Sequence, residues 1–160
     1  MKKVLIISYY FPPSGGAGVQ RWLKMLKYLP EFGVEPIVLT VDEKYASYPQ
    51  VDLSLLNDVP ANLTVYRTKS KEILSVYKKV SPNNEVPYGG FANEPKPNLF
   101  QKVARFIRGN FFLPDPRRGW NKYAYKEACQ IIQEENITTV ITTSPPHSTQ
   151  LIGLKLKKKF

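Results

Sequence analysis

His147 is the only histidine in the chain and stands in Thr142-Thr143-Ser144-Pro145-Pro146-His147-Ser148, directly after a β-branched run. A neutral imidazole at a helix N-terminus, where backbone dipoles disfavour added positive charge, can hydrogen-bond a hydroxyl or accept a proton. The alternative is a purely structural histidine, with Ser148 as the helix N-cap. Far earlier in the chain, Gly15-Gly16-Ala17-Gly18 separates an apolar run from a helical pattern. Glycines there let the backbone approach a ligand closely, and a helix N-terminus favours an anion, typically a phosphate. A tight turn holding nothing is the other reading. A third segment, Leu113-Pro114-Asp115-Pro116-Arg117-Arg118-Gly119-Trp120, carries two arginines suited to bidentate binding of a carboxylate or phosphate, or else simply solvated.

These segments need elements to position them. Val4-Leu5-Ile6-Ile7-Ser8 is a continuous apolar run of strand length, as expected for a strand covered on both faces. Val19 to Phe32 has Leu23, Leu26 and Leu29 on a helical period, and Gly33 stands where a C-cap glycine is wanted. Pro36 to Val41 reads as a second strand and Leu63 to Arg67 as a third, with loop and one helical turn between. Glu72 to Val80 is predicted helical, residues 81–98 a long loop, Asn121 to Asn136 a helix, and Ile137 to Thr143 a fourth strand. A last helix starts near Ser148. Strands alternating with helices imply right-handed βαβ units. The fold expected is a doubly wound, Rossmann-like α/β parallel sheet in the order 3-2-1-4.

Several chemistries are excluded or weakened by what the chain lacks. One histidine and one cysteine, Cys129, allow neither a zinc motif nor an intrachain disulfide. Cys129 is predicted to be a buried thiol on a helix. The glycine loop is an incomplete dinucleotide fingerprint, because position 21 is Arg21 instead of a third glycine; Asp42 after the second strand keeps that reading open. A Gly-Lys-Ser/Thr phosphate loop is absent. The apolar start stops at Ser8 without a cleavage site, so it is read as a strand of a cytoplasmic protein. A formal charge of +10 points to an anionic partner, and Lys155, Lys157, Lys158 and Lys159 concentrate part of it near the last residue. The basic residues form no recognised nucleic-acid module.

Three segments together resemble one family. They are Ile7-Ser8-Tyr9-Tyr10-Phe11-Pro12-Pro13-Ser14-Gly15-Gly16-Ala17-Gly18 with Arg21, then Asp115-Pro116-Arg117-Arg118-Gly119-Trp120, then Thr143-Ser144-Pro145-Pro146-His147-Ser148 with Leu151-Ile152-Gly153-Leu154. The chain is similar there to the N-terminal domain of the family-four retaining glycosyltransferases, which have the GT-B fold. The resemblance implies two Rossmann-like domains facing across a cleft, with this one shaping the acceptor site. The loop of Gly15, Gly16 and Gly18 would approach the phosphates and sugar of a nucleotide-sugar donor, and His147 would hydrogen-bond near the transferred sugar. Arg21, Arg117, Arg118 and Ser144 become candidates for holding a glycan or lipid-linked acceptor or its anionic groups. Neither a cofactor nor a metal is implied. The donor-holding basic residues and the E-x7-E glutamates belong to a C-terminal domain, and surface polysaccharide assembly is the implied setting.

The chain stops within a Leu-Lys-Leu-Lys pattern lacking a stop signal, so residues 1–160 are read as one truncated N-terminal domain. Along residues 99–112, Leu99, Phe100, Val103, Phe106 and Ile107 share one arc and Lys102, Arg105 and Arg108 the opposite one. Such a helix either packs on the sheet or lies on an anionic membrane face. Two other functions stay open: a nucleotide-sugar or NAD-dependent epimerase or reductase, for which the chain lacks a Tyr-x-x-x-Lys pair, and a non-enzymatic anion-binding module.

Overall fold

The computed structural model describes residues 1–71 and 114–160. The predicted helix over residues 72–80, the loop over 81–98 and the basic helix over 99–112 lie outside the described residues.

Strand β1 (Lys2–Ile7) lies between β2 (Val34–Val41) and β4 (Thr139–Thr142), and β3 (Thr64–Thr68) pairs with the outer side of β2; all pairings are parallel, giving the order β3-β2-β1-β4. The apolar run of β1 is buried on both faces because helices cover both. Val4, Ile6 and Val38 pack against Val19, Leu23 and Leu26 of α1 (Ala17–Tyr28) on one face. On the other, Leu5, Ile7, Ile37, Leu39 and Val41 meet Ala124, Ala128, Ile131 and Ile132 of α2 (Asn121–Glu134) and Ile152 and Leu156 of α3 (Thr149–Lys159). The alternation follows strand periodicity. This is a doubly wound, Rossmann-like sheet in the order expected. Cys129 is buried in the α2 layer.

Prolines shift some boundaries. The predicted helix from Val19 to Phe32 is α1 followed by a 3-10 turn over Leu29–Phe32, because Pro30 has no N–H to continue the α-helical ladder. Gly33 closes that turn in the left-handed region at φ 72°, as expected of a C-cap glycine. Pro36, where the second strand was expected to begin, lies two residues inside β2. Pairing with β3 begins only at Ile37, so the proline breaks no rung on that side. The helix expected to reach Asn136 ends at Glu134, and Asn136 turns the chain at φ 53°.

At the edge opposite the strands' C-terminal ends, Lys3 Nζ donates to Glu135 Oε2 at 2.6 Å and the Tyr66 hydroxyl donates to Oε1 at 3.4 Å. The Lys3 hydrogen bond and charge hold the Glu135 carboxyl below its ordinary range, and the bond to Glu135 holds the Lys3 ammonium above its own. A lowered carboxylate stabilises the fold above its ordinary pKa and loses that contribution as pH falls through the folded-state value. Glu135→Gln is therefore expected to lower the thermal midpoint slightly at neutral pH, with the gap to wild type closing in acid. A gap that persisted unchanged at pH values well below the carboxylate range would refute this pairing.

Candidate functional site

The chain runs outward from β1 to β2 to β3 and then returns to β4 on the far side of β1. The loops after β1 and β4 thus diverge to opposite faces, and in such sheets the crevice between them receives ligands. Their roots are joined. Thr143 donates its N–H to Ile7 O at 3.1 Å and its hydroxyl to Ser8 Oγ at 3.0 Å, and Ser8 Oγ donates to Tyr10 O at 2.9 Å. On the other side Thr40 Oγ1 donates to Tyr9 O at 3.1 Å. These short polar side chains are buried and tie the crevice floor to strands whose cores are apolar.

The glycine loop divides its labour. Gly15 donates its N–H to Gln50 O at 3.0 Å, and Asp52 N–H donates to Pro13 O at 2.8 Å, so the loop is pinned to residues 50–52. A Cβ on Gly15 would lie 3.1 Å from Gln50 Cγ and 3.2 Å from Asp52 Cβ, which explains the glycine by close approach of protein, not of ligand. Gly16 caps α1 at φ 108° and ψ 161°, a conformation open to glycine alone. The N–H groups of Gly16, Ala17 and Gly18 donate to nothing among the described residues, and open space faces Gly16 and Gly18. Anion-binding capacity therefore rests on residues 16–18. Gly16→Ala is expected to destabilise the chain by about 1–3 kcal/mol. Gly18→Ala should be neutral or stabilise by up to about 1 kcal/mol, since it sits in a helix with free space. Urea midpoints would check the pair, and equal losses at both positions would contradict the assignment. Arg21 follows on α1, exposed.

On the β4 side, Ser144 Oγ and His147 Nδ1 are 2.7 Å apart, leaving Nε2 of the exposed imidazole without a partner among the described residues. Thr142 Oγ1, at the end of β4, donates to Gln150 Oε1 in the first turn of α3 at 2.6 Å, spanning the same loop. Ser148, read from sequence as an N-cap, does not cap α3: its hydroxyl makes no cap hydrogen bond. Asp115 takes that role from a distance. Its Oδ2 accepts the Ser148 N–H at 2.6 Å, and its Oδ1 accepts the Ser148 hydroxyl at 3.1 Å and the Arg117 N–H at 2.9 Å. A carboxylate at a helix N-terminus is held by both hydrogen bonds and the helix dipole.

Arg117 turns inward. Its Nη2 donates to Ser47 O at 3.0 Å, and its guanidinium lies 5.7 Å from the Tyr9 ring and 5.3 Å from the Tyr10 ring. Its Nε is buried and makes no hydrogen bond among the described residues. Arg118 is exposed, so the adjacent arginines do not act as one fork. Trp120, fully buried, donates Nε1–H to Thr68 Oγ1 at 2.8 Å and meets Tyr9 edge to face at 5.5 Å. The structure thus gathers Tyr9, Arg117, Asp115 and the His147 loop along one rim. Sequence reading assigned no role to Asp115, Tyr9 or Ser47; the Pro-Asp-Pro flanks of Asp115 are the only local signal.

No protein-family model, curated protein or solved structure matches this chain. The crevice must be read from its own chemistry. Free N–H groups and a helix dipole on one wall suit a phosphate, while a serine–histidine pair on the other suits hydroxyl groups. Among the described residues no cluster of His, Cys, Asp and Glu could hold a metal, and no helix is long and apolar enough to cross a membrane.

Proposed function

We propose that this chain is the acceptor-side domain of a retaining GT-B glycosyltransferase, moving a sugar from a nucleotide-sugar donor to a glycan or lipid-linked acceptor in the cytoplasm. The supporting observation is the pairing across the switch-point crevice: unpartnered N–H groups of residues 16–18 on one loop, and Ser144–His147 on the loop of the neighbouring strand. A sugar phosphate presents both an anion and hydroxyls, so it uses both walls at once. The N–H groups would stabilise charge on the departing diphosphate, and His147 Nε2 would hydrogen-bond the sugar as the bond to phosphate lengthens. Arg21, Arg118 and Ser144 would serve the acceptor or its anionic groups, with Arg117 bracing the rim through Ser47 O. The dinucleotide alternative has less support, because Asp42, the acid after β2, accepts the Lys44 N–H at 2.9 Å and caps the turn Glu43–Tyr45.

On this reading the charges that hold the diphosphate come from a facing domain encoded after Phe160. Transfer from a panel of nucleotide sugars to membrane-extracted acceptors would be measured for residues 1–160 alone and for the chain extended by its downstream coding sequence. The expected result is transfer only by the extended chain, which should carry an E-x7-E motif. A stop codon directly after Phe160, or transfer by the 160 residues alone, would overturn the two-domain reading.

A further inference from the structure

The face of α3 turned away from the sheet combines charge with exposed apolar surface. Thr149, Ile152 and Leu156 are its buried residues. At about 100° per residue, Leu151, Leu154, Lys155 and Lys158 lie on the opposite side. Leu151 is 38% exposed and Leu154 51%, and the helix carries no acidic residue. The patch continues onto α2, because Lys155 Nζ lies 5.9 Å from the Tyr125 ring and the exposed Lys122 and Lys126 flank that tyrosine in the sequence. None of these lysines is ion-paired among the described residues. The acids on and just after α2 lie elsewhere: Glu135, directly past its last residue, accepts the Tyr66 hydroxyl on β3 at 3.4 Å, and burial, then the charge and hydrogen bond of Glu135, then the charges of Glu134 and Glu127, push that phenol above its ordinary pKa. Negative charge on α2 thus gathers towards β3 and positive charge towards α3.

Lysines in the last turn of a helix complement its dipole, and that accounts for part of the charge. It does not account for Lys122 and Lys126, which stand in the N-terminal half of α2, where the dipole opposes a cation. Nor does it account for two leucines held in water between lysines. A lipid surface resolves both, since anionic headgroups take the ammonium groups while leucines enter the acyl boundary. Nucleic acid would gain phosphate contacts here but would leave Leu151 and Leu154 in water, and the half-buried Tyr125 ring already lies beside Lys155.

We propose that the outward face of α3, with the adjoining lysines of α2, docks this protein on an anionic membrane surface. The surface belongs to a different stretch of chain from residues 99–112 and is independent of what the crevice binds. The test is co-sedimentation with vesicles of phosphatidylcholine containing roughly one-third phosphatidylglycerol, against vesicles of phosphatidylcholine alone. Binding to the anionic vesicles only is expected, weakening steeply with added salt. Lys155→Glu/Lys158→Glu should reduce it by more than about ten-fold, and Leu151→Ser/Leu154→Ser by several-fold; circular dichroism would confirm that these surface variants remain folded. Equal binding to both vesicles, or wild-type binding by both variants, would overturn the proposal. So would tighter capture of a single-stranded RNA lost in the same variants, or self-association that Leu151→Ser/Leu154→Ser removes.

Discussion

Trp120→Ala is expected to destabilise the chain by about 3–5 kcal/mol, a large part of the stability of a domain this size. The indole is fully buried and is the largest such side chain among the described residues. It stands at the start of α2, packs edge to face on Tyr9 after β1, and bonds Thr68 at the end of β3. Removing it would leave a cavity where three elements meet, together with an unpartnered Thr68 hydroxyl. Trp120→Phe separates the two costs: most of the volume stays, and the lost donor alone should cost about 1–2 kcal/mol. Urea unfolding of the three proteins would read this directly. A Trp120→Ala protein within about 1 kcal/mol of wild type, well short of a normal core truncation, would mean that the rim does not hold the sheet's C-terminal edge together.

His147→Ala is expected to act on turnover instead of stability. The imidazole is exposed and its one polar contact among the described residues is Ser144, so the fold should change by less than about 0.5 kcal/mol. If the ring bonds the transferring sugar more strongly in the transition state than in the ground state, kcat falls more than KM rises. On the proposed glycosyl transfer, the loss expected in the full-length protein is on the order of 10²-fold, comparable to removing one oxyanion donor. Ser144→Ala, which removes only the partner of Nδ1, should cost much less. A folded His147→Ala enzyme with near-normal kcat would leave the residue with a structural role only.

The sheet order was legible because alternation, caps and short connections are local signals. Val4 to Ile7, Leu23 and Leu26, and Gly33 each declare their surroundings within a turn or two of chain. The rim was only half legible. Gly15 and Gly16 look alike in sequence, yet one is required by contact with Gln50 and Asp52 and the other by its backbone angles. Ser148 carries every local mark of an N-cap, but a carboxylate 33 residues earlier does the work, and no pattern read along the chain exposes a partner at that separation. Arg117 looked free to bind a ligand for the same reason: Ser47, its acceptor, lies 70 residues away.

The bond between Trp120 and Thr68, with the Asp115 clasp on Ser148, brings two distant points of the chain to the same rim. Trp120 and Asp115 stand in one short segment, so a single stretch of backbone is tied at once to the end of β3 and to the start of α3. The segment acts as a strap across the sheet: slackening either bond loosens the hold at the other end, and amide exchange at Thr68 and Ser148 should quicken together.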